Sequence, residues 1–192
     1  MKNDLMILSV DLDGTLINSD LLYESFWSAF TNDFLIPFKA LFALFKGKAF
    51  LKEILSNSSS IDIKSLPYNE AVINYITLHR SRGGKVALVT ASNQKLAKKI
   101  SKHLNLFDQV YGSSSILNLK GLAKAKLQEQ IFGKGNFDYI GNSLADLQSW
   151  RISNKAITFN ASKLVKRKCE LCNMNTLHLF EKKDYSFLNS FI

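Results

Sequence analysis

Val10-Asp11-Leu12-Asp13-Gly14-Thr15-Leu16 closes an apolar run that begins at Leu5. The run reads as a buried strand, so two carboxylates stand two residues apart where a strand gives way to a glycine turn. Side chains two apart on a strand share a face, and a break at Gly14 lets the chain curl and bring Asp11 and Asp13 round one site. Open α/β sheets collect their chemistry at the carboxyl edge of the strands. Of two carboxylates placed there, one can act as a nucleophile and the other as a proton donor and acceptor. The same spacing also suits an Asx-type turn without chemistry, so the rest of the chain has to separate the two readings.

Working outward, apolar β-branched runs alternate with helical patterns. Strand-like runs fall at 5–10, 86–89, 109–111, 137–140, 156–159 and 177–180. Helical periodicity covers 70–81, 94–104, 119–132, 143–150 and 162–172. This alternation predicts an α/β fold, a Rossmann-like parallel sheet flanked by helices. Residues 18–66 break the pattern: they read as helical and rich in Phe and Leu up to about Ser56, then as a polar connector. The expected organisation is therefore a core of 1–17 and 67–192 with an insertion of helices at 18–66.

A chain of 192 residues, 46% of them hydrophobic, suits one domain with a sizeable core and a small subdomain and excludes disorder. The first residues reach Asp4, Asp11 and Asp13 without a charged-then-apolar leader, so no secretory signal is expected. The longest apolar region, 34–45, carries Pro37 and Lys39 and is too short to span a bilayer. Two cysteines make no disulfide framework, which points to a reducing, cytoplasmic compartment. The net charge of +9 suits attraction to nucleic acid, anionic lipid or a phosphorylated substrate, but reads first as a solvated basic surface. No aromatic-interleaved basic stripe accompanies it, so nucleic acid is not expected; Lys163, Lys166, Arg167 and Lys168 read as the wet face of a helix.

Three further stretches carry chemistry-bearing residues at strand ends or loops. Thr90 ends the run Val86 to Val89, where its hydroxyl can donate to a phosphoryl oxygen, and Ser92 is placed to cap the helix from Gln94. Asn118-Leu119-Lys120-Gly121 precedes a helix, with Lys124 one turn further along as a competitor for the same role. Gly141-Asn142-Ser143-Leu144-Ala145-Asp146 follows a strand; its Asn and Asp suit a metal site, or else a helix N-cap and a helix-dipole partner. Cys169 and Cys172 form a lone CxxC and read as structural, and His79, His103 and His178 are isolated, His178 within a sheet.

These motifs, in this order, resemble those of the haloacid dehalogenase-like hydrolases. The resemblance implies Asp11 as a nucleophile that accepts a phosphoryl group and Asp13 as general acid/base; the second Asp marks phosphatases and phosphomutases in that superfamily. It implies that Thr90 and Lys120 hold the phosphoryl oxygens, with Gly14, Thr15 and Ser92 lining the substrate site. It implies a Mg2+ held by Asp11, the backbone carbonyl of Asp13, Asn142 and Asp146, although Asn142 stands where an acid is common. The insertion at 18–66 takes the place of a helical cap, with Tyr23 and Glu24 as candidates for substrate contact. The stretches 15–26, 66–70, 89–97, 104–113, 118–121 and 141–150 further resemble the domain found N-terminal to UbiA-like polyprenyl transferases, a branch that also uses Asn at 142. The expectation is a Mg2+-dependent phosphatase on a small phosphorylated substrate, lipid- or sugar-linked, near a membrane surface or a polyprenyl transferase domain. The alternatives are a phosphate-binding regulatory module and a phosphomutase.

Overall fold

The structure is a computed structural model that describes residues 5–58 and 60–180. Six parallel strands form one sheet: β1 (Ile7–Val10), β2 (Val86–Asn93), β3 (Gln109–Ser113), β4 (Phe137–Gly141), β5 (Lys155–Phe159) and β6 (Thr176–Leu179). Their spatial order is β3-β2-β1-β4-β5-β6. The chain steps outward from β1 to β3, then returns to lay β4 on the other side of β1. β1 thus sits at the point where strand order reverses, and the crevice beyond its carboxyl end is where such sheets bind ligands.

Both faces of the sheet are covered, which is why the strands read as continuous apolar runs rather than alternating ones. Leu8, Val10, Leu88 and Ile140 pack against helices α4 (Glu70–Ser81) and α5 (Gln94–Leu104) through Val72, Ile76, Leu96 and Ile100. Phe137, Tyr139 and Ala156 pack against the other layer, α6 (Leu122–Phe132), α7 (Leu147–Ile152) and α8 (Lys163–Cys172), through Phe132, Trp150, Val165 and Cys169. Each fully buried Leu, Ile or Val contributes about 1.5–3 kcal/mol. Cys169 lies inside this second cluster, with burial pushing its thiol up to about 12. His178 is a sheet residue, as expected: Nδ1 meets the Thr158 hydroxyl at 2.7 Å and Nε2 meets Glu170 at 2.9 Å.

Several element limits differ from the sequence reading, each for a local reason. The long helical stretch is three helices, α1 (Leu21–Asn32), α2 (Ile36–Phe45) and α3 (Lys48–Ser58). Pro37 opens α2, and Gly47, at a φ of +109°, makes the turn into α3. Ala29, Ile36 and Leu55 give these helices a small core of their own. The chain returns to the sheet where it left: Ile17 bridges Tyr68, and Asn69 donates to the Thr15 carbonyl at 2.5 Å. The expected helix 119–132 starts only at Leu122, and 143–150 splits into a 3-10 turn at Leu144–Asp146 followed by α7. β2 runs on past the apolar run to Asn93, which caps α5 by accepting from the Lys95 N–H at 2.8 Å. Ser92, expected at that cap, is left free to face elsewhere.

Candidate active site

The carboxyl ends of β1, β2 and β4 and the loop before α6 surround a pocket of about 610 Å³. Asp11, Asp13, Gly14, Ser92, Lys124 and Asn142 line its base. Lys52 from α3, Leu44 from α2, Leu22 from α1, and Lys120 line its upper part.

Asp11 leaves β1 fixed by its N–H, which donates to the Ile140 carbonyl at 3.0 Å. Its Oδ1 accepts from Lys124 Nζ at 2.7 Å, while Oδ2 has no hydrogen-bond partner among the described residues. Burial pushes the Asp11 carboxyl up to about 7, with Lys124 pulling the other way and Asp146 and Asp13 adding to the rise. Of the two lysines, Lys124, on the helix, is the one that meets Asp11. It is almost fully buried, whereas Lys120, the residue expected in this role, is exposed at the pocket mouth. The reason is helical phase. Lys124 and Gln128 lie one turn apart on the inner face of α6 and meet Asp11, just past the end of β1, and Ser9, two residues before it on the strand. Four residues of helix rise about 6 Å and two of strand about 6.6 Å, so the two pairs fall in register.

Behind Lys124 lies a buried network that the sequence reading did not foresee. Lys124 Nζ also donates to the Tyr139 hydroxyl at 2.8 Å and to Asp146 Oδ1 at 3.3 Å, and Tyr139 donates to the same Asp146 oxygen at 2.6 Å. The other oxygen of Asp146 accepts from Asn142 N–H, Ser143 N–H and Ser143 Oγ at 3.0–3.1 Å. A carboxylate offers about four lone-pair sites, and five hydrogen bonds occupy them here. Asp146 thus anchors Lys124 and its own loop, with both carboxylate oxygens engaged in hydrogen bonds. Burial alone would raise its pKa, but Lys124, Tyr139 and the loop N–H groups outweigh it and hold the carboxyl low. Burial likewise opposes charge on Lys124, yet Asp11 and Asp146 prevail and raise its pKa, so the ammonium persists between two carboxylates. Gly141 makes room for this arrangement, since a Cβ there would stand 2.7 Å from the Asp146 carboxyl carbon.

Asp13 is aimed by its own partners. Oδ1 accepts from the Leu21 N–H at the start of α1 at 2.8 Å, and Oδ2 accepts from Ser92 Oγ at 2.5 Å. Burial pushes its carboxyl up, with those two hydrogen bonds opposing. Gly14 turns the chain between them at a φ of +71°, and its missing side chain leaves space that the Asn142 amide occupies.

Other residues expected at the site do not line the pocket. Thr90 is fully buried and absent from the pocket lining; its Oγ1 accepts from the Ser92 N–H at 2.9 Å, and Ser92 lines the pocket. Thr15 is also fully buried and does not line the pocket. Tyr23 is exposed and stacks edge-on with Trp27, and Glu24 accepts from Ser19 at 2.5 Å; neither reaches the pocket. α1 turns Leu21, Ser25 and Ala29 inward, so Leu22 faces the pocket and its neighbours point away. The insertion instead contributes Lys52, which donates to the Ala91 carbonyl and to Asn118 Oδ1 at 3.3 Å. Burial depresses its pKa, Asp13 and Asp20 opposing.

The oxygen donors left for a metal are Asp11 Oδ2, the Asp13 carbonyl and the Asn142 side chain. These are hard ligands of the kind Mg2+ takes, which needs few protein groups beside water. They fit Mg2+ as a site with one charged ligand, and among the described residues no cluster of three or more His, Cys, Asp or Glu is arranged as a metal cage.

No family model matches the chain. An uncharacterised protein of Sinorhizobium fredii is 40% identical over 150 residues, 78% of this chain; the match spans 29% of that protein's length. A phosphoserine phosphatase solved as a phospho-aspartyl intermediate analogue superposes with a TM-score of 0.64 at 19% identity, over 99% of this chain and 100% of the other. The haloacid dehalogenase-like hydrolase of Streptococcus pneumoniae gives 0.57 at 17% identity, over 98% of this chain and 99% of that one. The fold is the haloacid dehalogenase-like fold. A protein of unknown function from Bordetella pertussis shares this fold at a TM-score of 0.70 and 14% identity, over 92% and 99% of the two chains.

Proposed function

We propose that the protein is a Mg2+-dependent phosphatase that cleaves a phosphoric monoester through an aspartyl-phosphate on Asp11. The observation that carries the proposal is the pairing at the pocket base. One carboxylate is held against a buried ammonium at 2.7 Å, and a second, two residues on, is fixed by Ser92 and the α1 N-terminus. The fold, shared with phosphoserine phosphatases, supports it.

In this reading a carboxylate oxygen of Asp11 attacks phosphorus in line with the leaving oxygen. The Asp11–phosphorus bond forms as the ester P–O bond breaks. Asp13, its pKa raised by burial, gives its proton to the departing oxygen. A water then attacks phosphorus, Asp13 takes its proton, and the Asp11 carboxylate leaves with release of inorganic phosphate. Lys124 offsets the charge that gathers on Asp11 and the phosphoryl oxygens, and Ser92 aims the Asp13 carboxyl. Lys120 and Lys52 give the mouth a positive field that draws in an anion. Asp11, the Asp13 carbonyl and Asn142 would hold Mg2+, which supplies further charge neutralisation at the phosphoryl group.

The substrate we propose is a lipid- or sugar-linked phosphate, handled at the cytoplasmic face of a membrane beside a polyprenyl transferase domain. The pocket, far roomier than a phosphate group, supports a substrate with a larger body. Hydrolysis of an aryl phosphate with and without Mg2+, for wild type beside Asp11→Asn, tests the reaction. Turnover that needs Mg2+ and vanishes in the variant is expected; equal turnover in the variant refutes it. The second reading, a phosphate-binding module, is favoured by one observation: Asp146 is consumed by hydrogen bonds and Asn142 carries no charge. Phosphate binding without turnover at saturating Mg2+ would establish that reading.

A further inference from the structure

Helix α2, Ile-Pro-Phe-Lys-Ala-Leu-Phe-Ala-Leu-Phe, is almost wholly apolar, yet it is a surface helix. Ile36 and Ala43 point inward and Ala40 packs beside them. Phe38, Leu41, Phe42 and Phe45, at i, i+3, i+4 and i+7, form the outward face, continued at its start by Phe34. Phe34, Phe38 and Phe45 are 76%, 72% and 84% exposed, so this face has no covering within the described residues. Single exposed apolar residues need no explanation, but a contiguous stripe of aromatic rings marks a surface that meets something.

The surrounding charge identifies the partner. No acidic residue occurs from Phe34 to Lys52, while Lys39, Lys46 and Lys48 do, and Lys52 turns into the pocket. Lys46 sits over the rings of Phe42 and Phe50 at 5.3 and 5.2 Å, and Lys39 pairs with Asp33 at the helix's edge; the side chain of Lys48 lies outside the described ones. A second copy of the chain would bring its own Lys39 and Lys46 to the same place, and two chains of charge +9 would repel. An anionic bilayer complements both features. Ten residues of helix extend about 15 Å, half the hydrocarbon thickness, so α2 lies along the interface rather than crossing it.

We infer that the outward face of α2 docks the protein on an anionic lipid bilayer and brings the pocket mouth to the membrane surface. Leu44, on the same helix, lines the pocket, and Leu51 of α3 lines it beside Lys52. The apolar surface thus continues from the docking face to the mouth. Resting on the phosphatase reading, this narrows the substrate to the phosphomonoester of a membrane-embedded amphiphile. Its head group reaches Asp11 while its tail stays among the lipids.

Co-sedimentation of the full chain with vesicles tests the docking without any turnover. The protein is expected to partition onto phosphatidylcholine vesicles containing phosphatidylglycerol and to be retained poorly by pure phosphatidylcholine. Phe38→Ser with Phe42→Ser, both on the exposed face, should weaken partitioning by about tenfold or more. Thermal unfolding, and any hydrolysis of a water-soluble aryl phosphate, should be unchanged. As a second readout, Phe42→Trp should shift its emission to the blue on adding the anionic vesicles. No retention by either vesicle, or equal retention of the double variant, overturns the inference. So does a dimer in sedimentation velocity that the double variant dissolves while vesicle binding is absent. Vesicle binding by a protein that hydrolyses nothing would keep the docking surface and reject only the phosphatase reading.

Discussion

Tyr139→Phe isolates the buried network behind Lys124. The ring stays, so packing against Trp150, with ring centroids 6.4 Å apart, is retained. What is lost is one oxygen that donates to Asp146 at 2.6 Å and accepts from Lys124 at 2.8 Å. Hydrogen bonds to charged groups contribute about 1.5–3 kcal/mol each. The direct Lys124–Asp146 contact, 3.3 Å long, can tighten and recover part of the loss, which leaves a net cost of about 2 kcal/mol. For a chain of this size that lowers Tm by roughly 4–8 °C. Differential scanning calorimetry measures it, and the aryl-phosphate assay should show a lower kcat with KM little changed, because Lys124 is less firmly held against Asp11. A variant within about a degree of wild type in Tm and equal in kcat would refute the view that this hydroxyl organises the site.

Lys124→Met should abolish turnover and destabilise the fold by about 3–5 kcal/mol, because Asp11 and Asp146 are left buried without their cation. Lys120→Met, at an exposed position, should leave Tm within about a degree and act mainly on KM; chemical denaturation beside steady-state kinetics separates the two lysines. Asn142→Asp adds a charge beside Gly14 in the pocket that Asp11 also lines and should tighten Mg2+ binding about tenfold, read by isothermal titration calorimetry.

The strand alternation and the Asp-Leu-Asp-Gly turn were legible because both follow from chain-local rules: hydrophobic period, strand length and the conformational freedom of glycine. The parallel sheet and the placement of Asp11 and Asp13 at its reversal point follow from them. What was illegible depended on contacts across the fold. The pairing of Lys124 with Asp11 hinges on the phase of α6, which starts three residues later than its pattern suggests because Gly121 turns the chain first. The polar pair Lys124 and Gln128 on one face of that helix was the available signal, matched by Ser9 on β1 and Asp11 just past its end. Asp146 has metal-ligand spacing, yet Tyr139 and the Asn142–Ser143 backbone claim its oxygens, and no spacing records how many hydrogen bonds a carboxylate accepts. Ser92 rather than Thr90 lines the pocket because β2 runs beyond its apolar run, and Tyr23 stands outside it because α1 turns Leu22 to the pocket.

The central claim is that Asp11 carries the phosphoryl group. Acid quenching during turnover of an aryl phosphate, followed by proteolysis and mass spectrometry, tests it directly. The best background is Asp13→Asn, which removes the base needed to clear the intermediate. A peptide containing Asp11 heavier by one phosphoryl group, and absent from Asp11→Asn, is the expected result. Turnover with no such adduct in either background, or an adduct on another residue, would contradict the account.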